Sequence, residues 1–234
     1  MAETHPVVSS DKWLEARKRL LQKEKEFTRL RDELCEQRRA LPWEAVRKEY
    51  AFEGPNGRES LAQLFGRQSQ LVVYHFMFDP SWDAGCKSCS FWADNFDGID
   101  VHLRQRDISF VAVSRAPYAK LEAYRRRMGW RFKWLSSFGS DFNFDYRVSF
   151  TDAEVAAGSV DYNYQRQKPF GAETVGISVF ARDPAGALFH TYSCYSRGVD
   201  MMNGAYQYID LTPKGRDEGG RNQFWVRRRD EYGE

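Results

Sequence analysis

The order of segments in this chain predicts an α/β fold, a sheet covered by helices on both faces. Three observations carry that expectation. Apolar runs recur at 71–78, 108–114 and 175–181. The first, rich in β-branched and aromatic residues, has the pattern of a strand buried on both sides, the second reads as another buried strand and the third as a further strand. Segments with helical spacing follow the first two runs, after Cys89 and from Pro117 to Met128. The third run turns at Asp183-Pro184-Ala185-Gly186 into 187–192, which reads as a β-hairpin. Strands alternating with helices imply right-handed crossovers, and open sheets of this kind carry their sites at the carboxyl ends of the strands.

Taken in order, residues 11–41 are dense in charge, with Trp13, Leu20, Phe27, Leu34 and Leu41 seven apart and Leu14, Leu21 and Leu30 beside them. This predicts one long amphipathic helix, begun by Ser10 or Asp11 and ended at Pro42. A seven-residue repeat suits packing against another helix, so a homodimer through this arm is one expectation. Lys23 and Gln37 at second-stripe positions weaken that template and favour packing on the chain's own domain. Glu24, Glu26, Asp32, Glu33 and Glu36 alternate with the basic residues, as on a solvated face. Cys35, beside the stripe, reads as a small core residue. The expected organisation is an arm at 1–45 and a domain at 46–234.

Residues 49–65 read as an extended hairpin around Gly54-Pro55-Asn56-Gly57, then a short helix capped by Ser60. After the strand at 108–114, the helix from Pro117 has Gly129 just past its end, and 132–135 suggests a short strand. Residues 136–174 form an aromatic-rich insertion without sustained period, which reads as a long ordered loop. A helix at 203–211 precedes a charged tail containing Arg227-Arg228-Arg229.

The chemistry concentrates at Cys86-Lys87-Ser88-Cys89, where the first buried strand turns into a helix. A thiol at a helix N-terminus is biased toward thiolate. A second thiol one turn on can resolve a mixed disulfide. Cys86 is therefore the expected nucleophile, with Lys87 adding positive charge, and Cys89 the resolving thiol. Trp82 and Asp83 precede the motif, as groove wall or cover and as proton acceptor or turn residue. A metal site would need two further ligands, and only Cys35, Cys194, His75 and His190 are on offer. No metal and no cofactor are expected. His75 reads as a satisfied core histidine. Period-two spacing places His190, Tyr192 and Cys194 on one strand face, making His190 and Cys194 auxiliary candidates. Arg125, Arg126, Arg127, Arg131 and Lys133 could bind an anion, with a solvated helix face preferred.

Composition limits the classes of function. A net charge of +2 over 234 residues gives no global pull toward nucleic acid or membrane. Four cysteines are too few for a disulfide scaffold. No apolar stretch spans a bilayer, and residues 1–12 lack a secretory pattern. A soluble, cytoplasmic protein is expected.

These motifs together resemble a thioredoxin-like protein of the peroxiredoxin and TlpA-like branch. The features that carry it are Phe52-Glu53-Gly54-Pro55-Asn56-Gly57, Ser60-Leu61, the strand into Cys86 and Cys89, Val111-Ala112-Val113-Ser114, and the turn at Asp183 to Gly186. More narrowly, Tyr74-His75-Phe76-Met77-Phe78, Ser90-Phe91-Trp92-Ala93-Asp94, His190-Thr191-Tyr192-Ser193 and Asp210-Leu211-Thr212-Pro213 resemble a bacterial family of predicted dithiol-disulfide oxidoreductases related to AhpC/TSA. The resemblance implies a thioredoxin-like three-layer α/β fold with a central mixed sheet and a long N-terminal helix. It implies a thiol-disulfide oxidoreductase acting on a protein or small-molecule disulfide, with a reducing partner. The alternatives are a thiol peroxidase acting on peroxide and a non-catalytic binding module. Val175-Gly176 stand where thioredoxins carry a groove-shaping proline, so both are groove candidates. Asp83 stands where peroxiredoxins carry Thr or Ser, which counts against peroxidase chemistry.

Overall fold

A computed structural model describes residues 5–233, which fall into two units dividing between Pro42 and Trp43. The first is a single helix, α1, Ser10–Arg39, as its uninterrupted charge-rich sequence requires. Arg38 and Arg39 occupy its last turn, where the dipole favours cations. None of its residues is buried, and Trp13, Leu20, Phe27 and Leu34 are all exposed. Cys35 is half-buried rather than a core residue.

The second unit begins with β1, Glu44–Ala45, then the hairpin β2, Ala51–Gly54, and β3, Gly57–Ser60, and the short helix α2, Leu61–Leu64. Ser60 caps α2 through a reciprocal box with Gln63. Next come β4, Gln70–His75; α3, Lys87–Ala93; α4, Asp100–Arg104; β5, Ile108–Ser114; α5, Tyr118–Met128; and β6, Trp134–Ser136. Gly129 ends α5 in the left-handed conformation (φ 68°), as its position predicts.

The insertion at 136–174 holds local structure that its sequence does not announce. It contains α6, Phe142–Asp145; α7, Asp152–Ala156; and a separate two-stranded ribbon of β7, Val160–Tyr162, and β8, Gln165–Gln167. Then β9, Gly176–Arg182, and β10, Leu188–Tyr195, form the expected hairpin, and α8, Gly204–Ile209, follows a 3-10 turn. The β1 and α4 elements were not expected from sequence, and the first central strand stops at His75, short of the apolar run's end.

The main sheet has the order β1-β10-β9-β4-β5-β6-β2-β3. Strands β4, β5 and β6 are mutually parallel, whereas β9 runs antiparallel to β4 and β10 antiparallel to β9. A parallel βαβ pair flanked by an antiparallel hairpin, with a helix after the first strand and another after the hairpin, is the thioredoxin-like arrangement. Side chains alternate across the sheet. One face packs Tyr74, Phe76 and Phe78 against Trp92, Phe96, Tyr124 and Trp134. The other packs Leu71 and Val73 against Leu64, Phe65, Phe142 and Phe180. The dithiol helix lies on the first face.

Candidate active site

Residues 76–85 connect β4 to α3 and are tied to the end of β5. Phe76 N–H donates to Val113 O (2.9 Å), Ala116 N–H to Phe78 O (2.8 Å), and Ser114 Oγ to Phe76 O (2.6 Å). Met77 holds both cysteines: its carbonyl accepts from Cys86 N–H (3.1 Å) and its N–H donates to Cys89 Sγ (3.4 Å). Gly85 is required where the loop meets the core, since a Cβ there would fall 2.7 Å from Phe76 and 2.9 Å from Tyr124. Cys86 caps α3, and its carbonyl accepts from Ser90 N–H and Ser90 Oγ, both at 2.9 Å. Ser90 Oγ is also bonded to the Tyr124 hydroxyl (2.9 Å).

The two thiols differ in environment. Cys86 is half-buried and its pKa is lowered to about 6. The main cause is a hydrogen bond from the Cys89 side chain, joined by the N–H groups of Cys89 and Ser88 and opposed by burial. Lys87 is exposed and is not among the principal causes. Cys89 is buried, and burial followed by the neighbouring Cys86 drives its thiol well above the ordinary value. The two environments thus pull in opposite directions, favouring the thiolate at Cys86 and the thiol at Cys89.

Other candidate residues are placed unequally. Val175 lines a cavity of about 150 Å³ together with Tyr74, Met77, Cys89 and Trp92. Gly176 does not reach it: it is buried, and a Cβ would meet the Tyr195 ring at 2.7 Å. Trp82 packs partly against the core, and its carbonyl accepts from Lys120 Nζ (3.0 Å). Asp83 is exposed.

His190 and Cys194 do not share a face. A β-bulge between His190 and Tyr192 inserts one residue into the alternation. His190 consequently joins Ser193 (Nε2 to Oγ 2.7 Å) and packs on Phe180, whereas Cys194 lies in the core on the dithiol's face of the sheet. The arginine run on α5 is neutralised internally. Glu122 pairs with Arg125 and Arg126, and Arg127 pairs with Asp230 and Glu231. Among the described residues no group of three or more His, Cys, Asp or Glu side chains converges as a metal-binding set.

Two features escape sequence reading. The charged C-terminal tail is a strap over the site. Val226 is fully buried, Trp225 packs edge-on to Phe91 (5.4 Å), and Asn222 and Gln223 border the cavity at Cys89. Arg228 donates twice to Gly85 O, at 2.9 and 3.2 Å, directly before the nucleophile. The Trp225-Val226 pair is the only sign of this in the tail's sequence. The second feature is Arg115, whose guanidinium bridges Asp79 (2.7 Å) and the buried Glu173 (2.6 Å). It ties the loop before the dithiol to the segment entering Val175. Burial pushes Glu173 up to about 7, against the pull of Arg115. No local pattern links these three residues.

A parallel βαβ pair with its hairpin, carrying two inequivalent thiols at the end of the first central strand, defines a thioredoxin-like protein. The chain belongs to the family described as bacterial protein of unknown function, DUF899, whose model matches residues 2–232. No curated protein matches it. Among solved structures it is similar to a peroxiredoxin Q mutant from Xanthomonas campestris, with 12% identity over 70% of this chain and 98% of that one, at a TM-score of 0.44. It is also similar to peroxidoxin BcpB from Mycobacterium tuberculosis (14% identity, 72% and 97% covered, TM-score 0.39) and to a putative thiol:disulfide interchange protein DsbE from Chlorobium tepidum (13%, 72% and 96%, 0.40). At these scores the likenesses carry nothing about activity.

Proposed function

We propose that this chain is a dithiol-disulfide oxidoreductase. The observation that supports it is the division of labour at α3: a half-buried Cys86 favoured as thiolate, beside a buried Cys89 that keeps its proton. Cys86 Sγ attacks one sulfur of a disulfide; a new S–S bond forms and the second sulfur departs as thiolate. Cys89 then attacks Cys86 Sγ, forming the internal disulfide and releasing the other half of the substrate as thiol. Two electrons pass from the dithiol to the substrate, and an external thiol reductant restores the enzyme. The chemistry needs no metal or organic cofactor, and it suits a reducing compartment such as the cytoplasm.

The deciding measurement is a titration of the Cys86–Cys89 redox state against glutathione buffers, read by alkylation and mass spectrometry. A reversible Cys86–Cys89 disulfide, with Cys86 alkylated fastest at neutral pH, is expected. Thiols that stay reduced and react slowly would sink the proposal. Rapid peroxide consumption by the reduced protein, without disulfide exchange, would replace it with the peroxidase reading.

A further inference from the structure

Two buried phenols feel the charge of Cys89, and their hydroxyls are in opposite states. Tyr162 is fully committed: its hydroxyl donates to Val175 O (2.7 Å) and accepts from Ser196 N–H (2.9 Å). Tyr74 is 0% exposed, yet its hydroxyl has no hydrogen-bond partner among the described residues. A buried polar group left unpaired is costly, so such groups are rare and call for an explanation. Tyr74 and Cys89 line the same cavity, together with Met77, Trp92 and Val175. The Tyr74 hydroxyl is among the groups that pull the Cys89 thiol down, against the larger effects of burial and Cys86.

We propose that Tyr74 is the hydrogen-bond donor that receives Cys89 as a thiolate in the resolving step, a role that rests on the dithiol reading above. In the resting dithiol Cys89 is protonated and makes no demand on the hydroxyl. Once Cys86 carries the substrate as a mixed disulfide, Cys89 must ionise inside the core to attack Cys86 Sγ. The Met77 N–H already points at Cys89 Sγ (3.4 Å), and the Tyr74 O–H supplies the second, charge-assisted bond. Tyr74 keeps its own proton throughout. Its hydroxyl is held well above the ordinary phenol value, first by burial and then by the neighbouring thiols, so it serves as donor and not as base. The Cys86–substrate S–S bond breaks as the Cys86–Cys89 bond forms. The proton from Cys89 ends on the departing thiolate.

The test uses 5,5′-dithiobis(2-nitrobenzoate) on the reduced full chain in a Cys35→Ser background. Attack by Cys86 releases one equivalent of thionitrobenzoate, and closure by Cys89 releases a second. Tyr74→Phe should leave the first phase unchanged and slow the second about tenfold, the scale of a lost charge-assisted bond. Thermal stability should be equal or higher, since an unpaired hydroxyl is removed. In a Cys86→Ser background, Tyr74→Phe should raise the pH midpoint of Cys89 alkylation. A normal second phase and an unmoved midpoint would overturn the role of Tyr74 while leaving the dithiol reading standing. Equal slowing of both phases with lowered stability would overturn it in favour of simple packing. A wild-type protein that releases one equivalent and never closes would instead overturn the dithiol reading, and this step with it.

Discussion

Tyr74 and His75 are neighbours on β4 and look into opposite faces of the sheet, and the two faces treat their polar groups differently. On the Tyr74 side lie the dithiol, Cys194, a small cavity and an unpaired hydroxyl. On the His75 side the polar groups bond to one another in a chain, and only His75 Nδ1, at its inner end, is left without a partner among the described residues. His75 Nε2 meets Ser178 Oγ (2.8 Å), Ser178 Oγ meets Ser193 Oγ (2.9 Å), and Ser193 Oγ meets His190 Nε2 (2.7 Å). His190 Nδ1 in turn lies 3.5 Å from the exposed Glu44. This chain crosses β4, β9 and β10 in sequence, so it pins their register. Polar groups that satisfy each other specify structure, whereas a group left open beside a reactive sulfur retains something to do. The comparison teaches that one face should govern chemistry and the other stability.

The largest effect that would break or sharpen this division is Cys86→Ser. Turnover should fall by roughly three orders of magnitude or more, because a serine hydroxyl is not ionised at neutral pH. Stability should change by no more than about 1 kcal/mol, since the side chain is half-buried and nearly isosteric. Cys89→Ser should accumulate mixed disulfides on Cys86. Disulfide reduction by Cys86→Ser at the wild-type rate would remove chemistry from this face altogether.

The opposite face is probed by His75. Burial, then the charge of His190, lowers its pKa to about 3, against an ordinary value of 6.5. Between those values the unfolded chain binds the proton and the native chain does not. Stability therefore falls as pH falls through the window from 6.5 toward 3, by about 2 kcal/mol at pH 5 relative to neutral. His75→Gln should flatten that slope by about one proton in denaturant titrations run at several pH values. His75→Ala should cost about 3 kcal/mol at neutral pH through a cavity and the lost hydrogen bond to Ser178. Neither substitution should move the pH midpoint of Cys86 alkylation. A shift of that midpoint would mean that the two faces are coupled.

Much of this was legible in the sequence, for reasons that are local. The α1 helix, the hairpin into Ser60, the buried strands and the dithiol at a strand-to-helix turn each announce themselves through periodicity, turn residues or capping chemistry. The Thr151 cap with Glu154 was equally local, but the surrounding aromatic residues obscured it. What stayed hidden was set by tertiary placement. One bulged residue in β10 moved His190 to the other face and undid a period-two reading that was sound up to that point. The Arg115 bridge joins residues from three separate loops. The open hydroxyl of Tyr74 is invisible in sequence, because a buried tyrosine in a strand is normally just core. The strap is hidden for the same reason, since its anchor is a backbone carbonyl.

That anchor offers the smallest and most selective test. Arg228 reaches the dithiol through Gly85 O and through Tyr124, whose hydroxyl meets Ser90, and its charge is not among the principal causes of the lowered Cys86 pKa. Any influence on the thiol must then pass through position: the two hydrogen bonds hold the turn that sets Cys86 against the N–H groups of Ser88 and Cys89. Arg228→Ala should cost about 1–2 kcal/mol, since Arg228 also pairs with Glu231 and leaves one carbonyl unsatisfied. The Cys86 alkylation midpoint should rise by roughly half a unit as that alignment loosens. Arg228→Lys should restore part of the stability but little of the midpoint, because a single ammonium cannot reproduce the forked contact. A loss of stability with the midpoint unmoved would make the strap a cover for the Phe91 face and leave the thiol's environment to α3 alone.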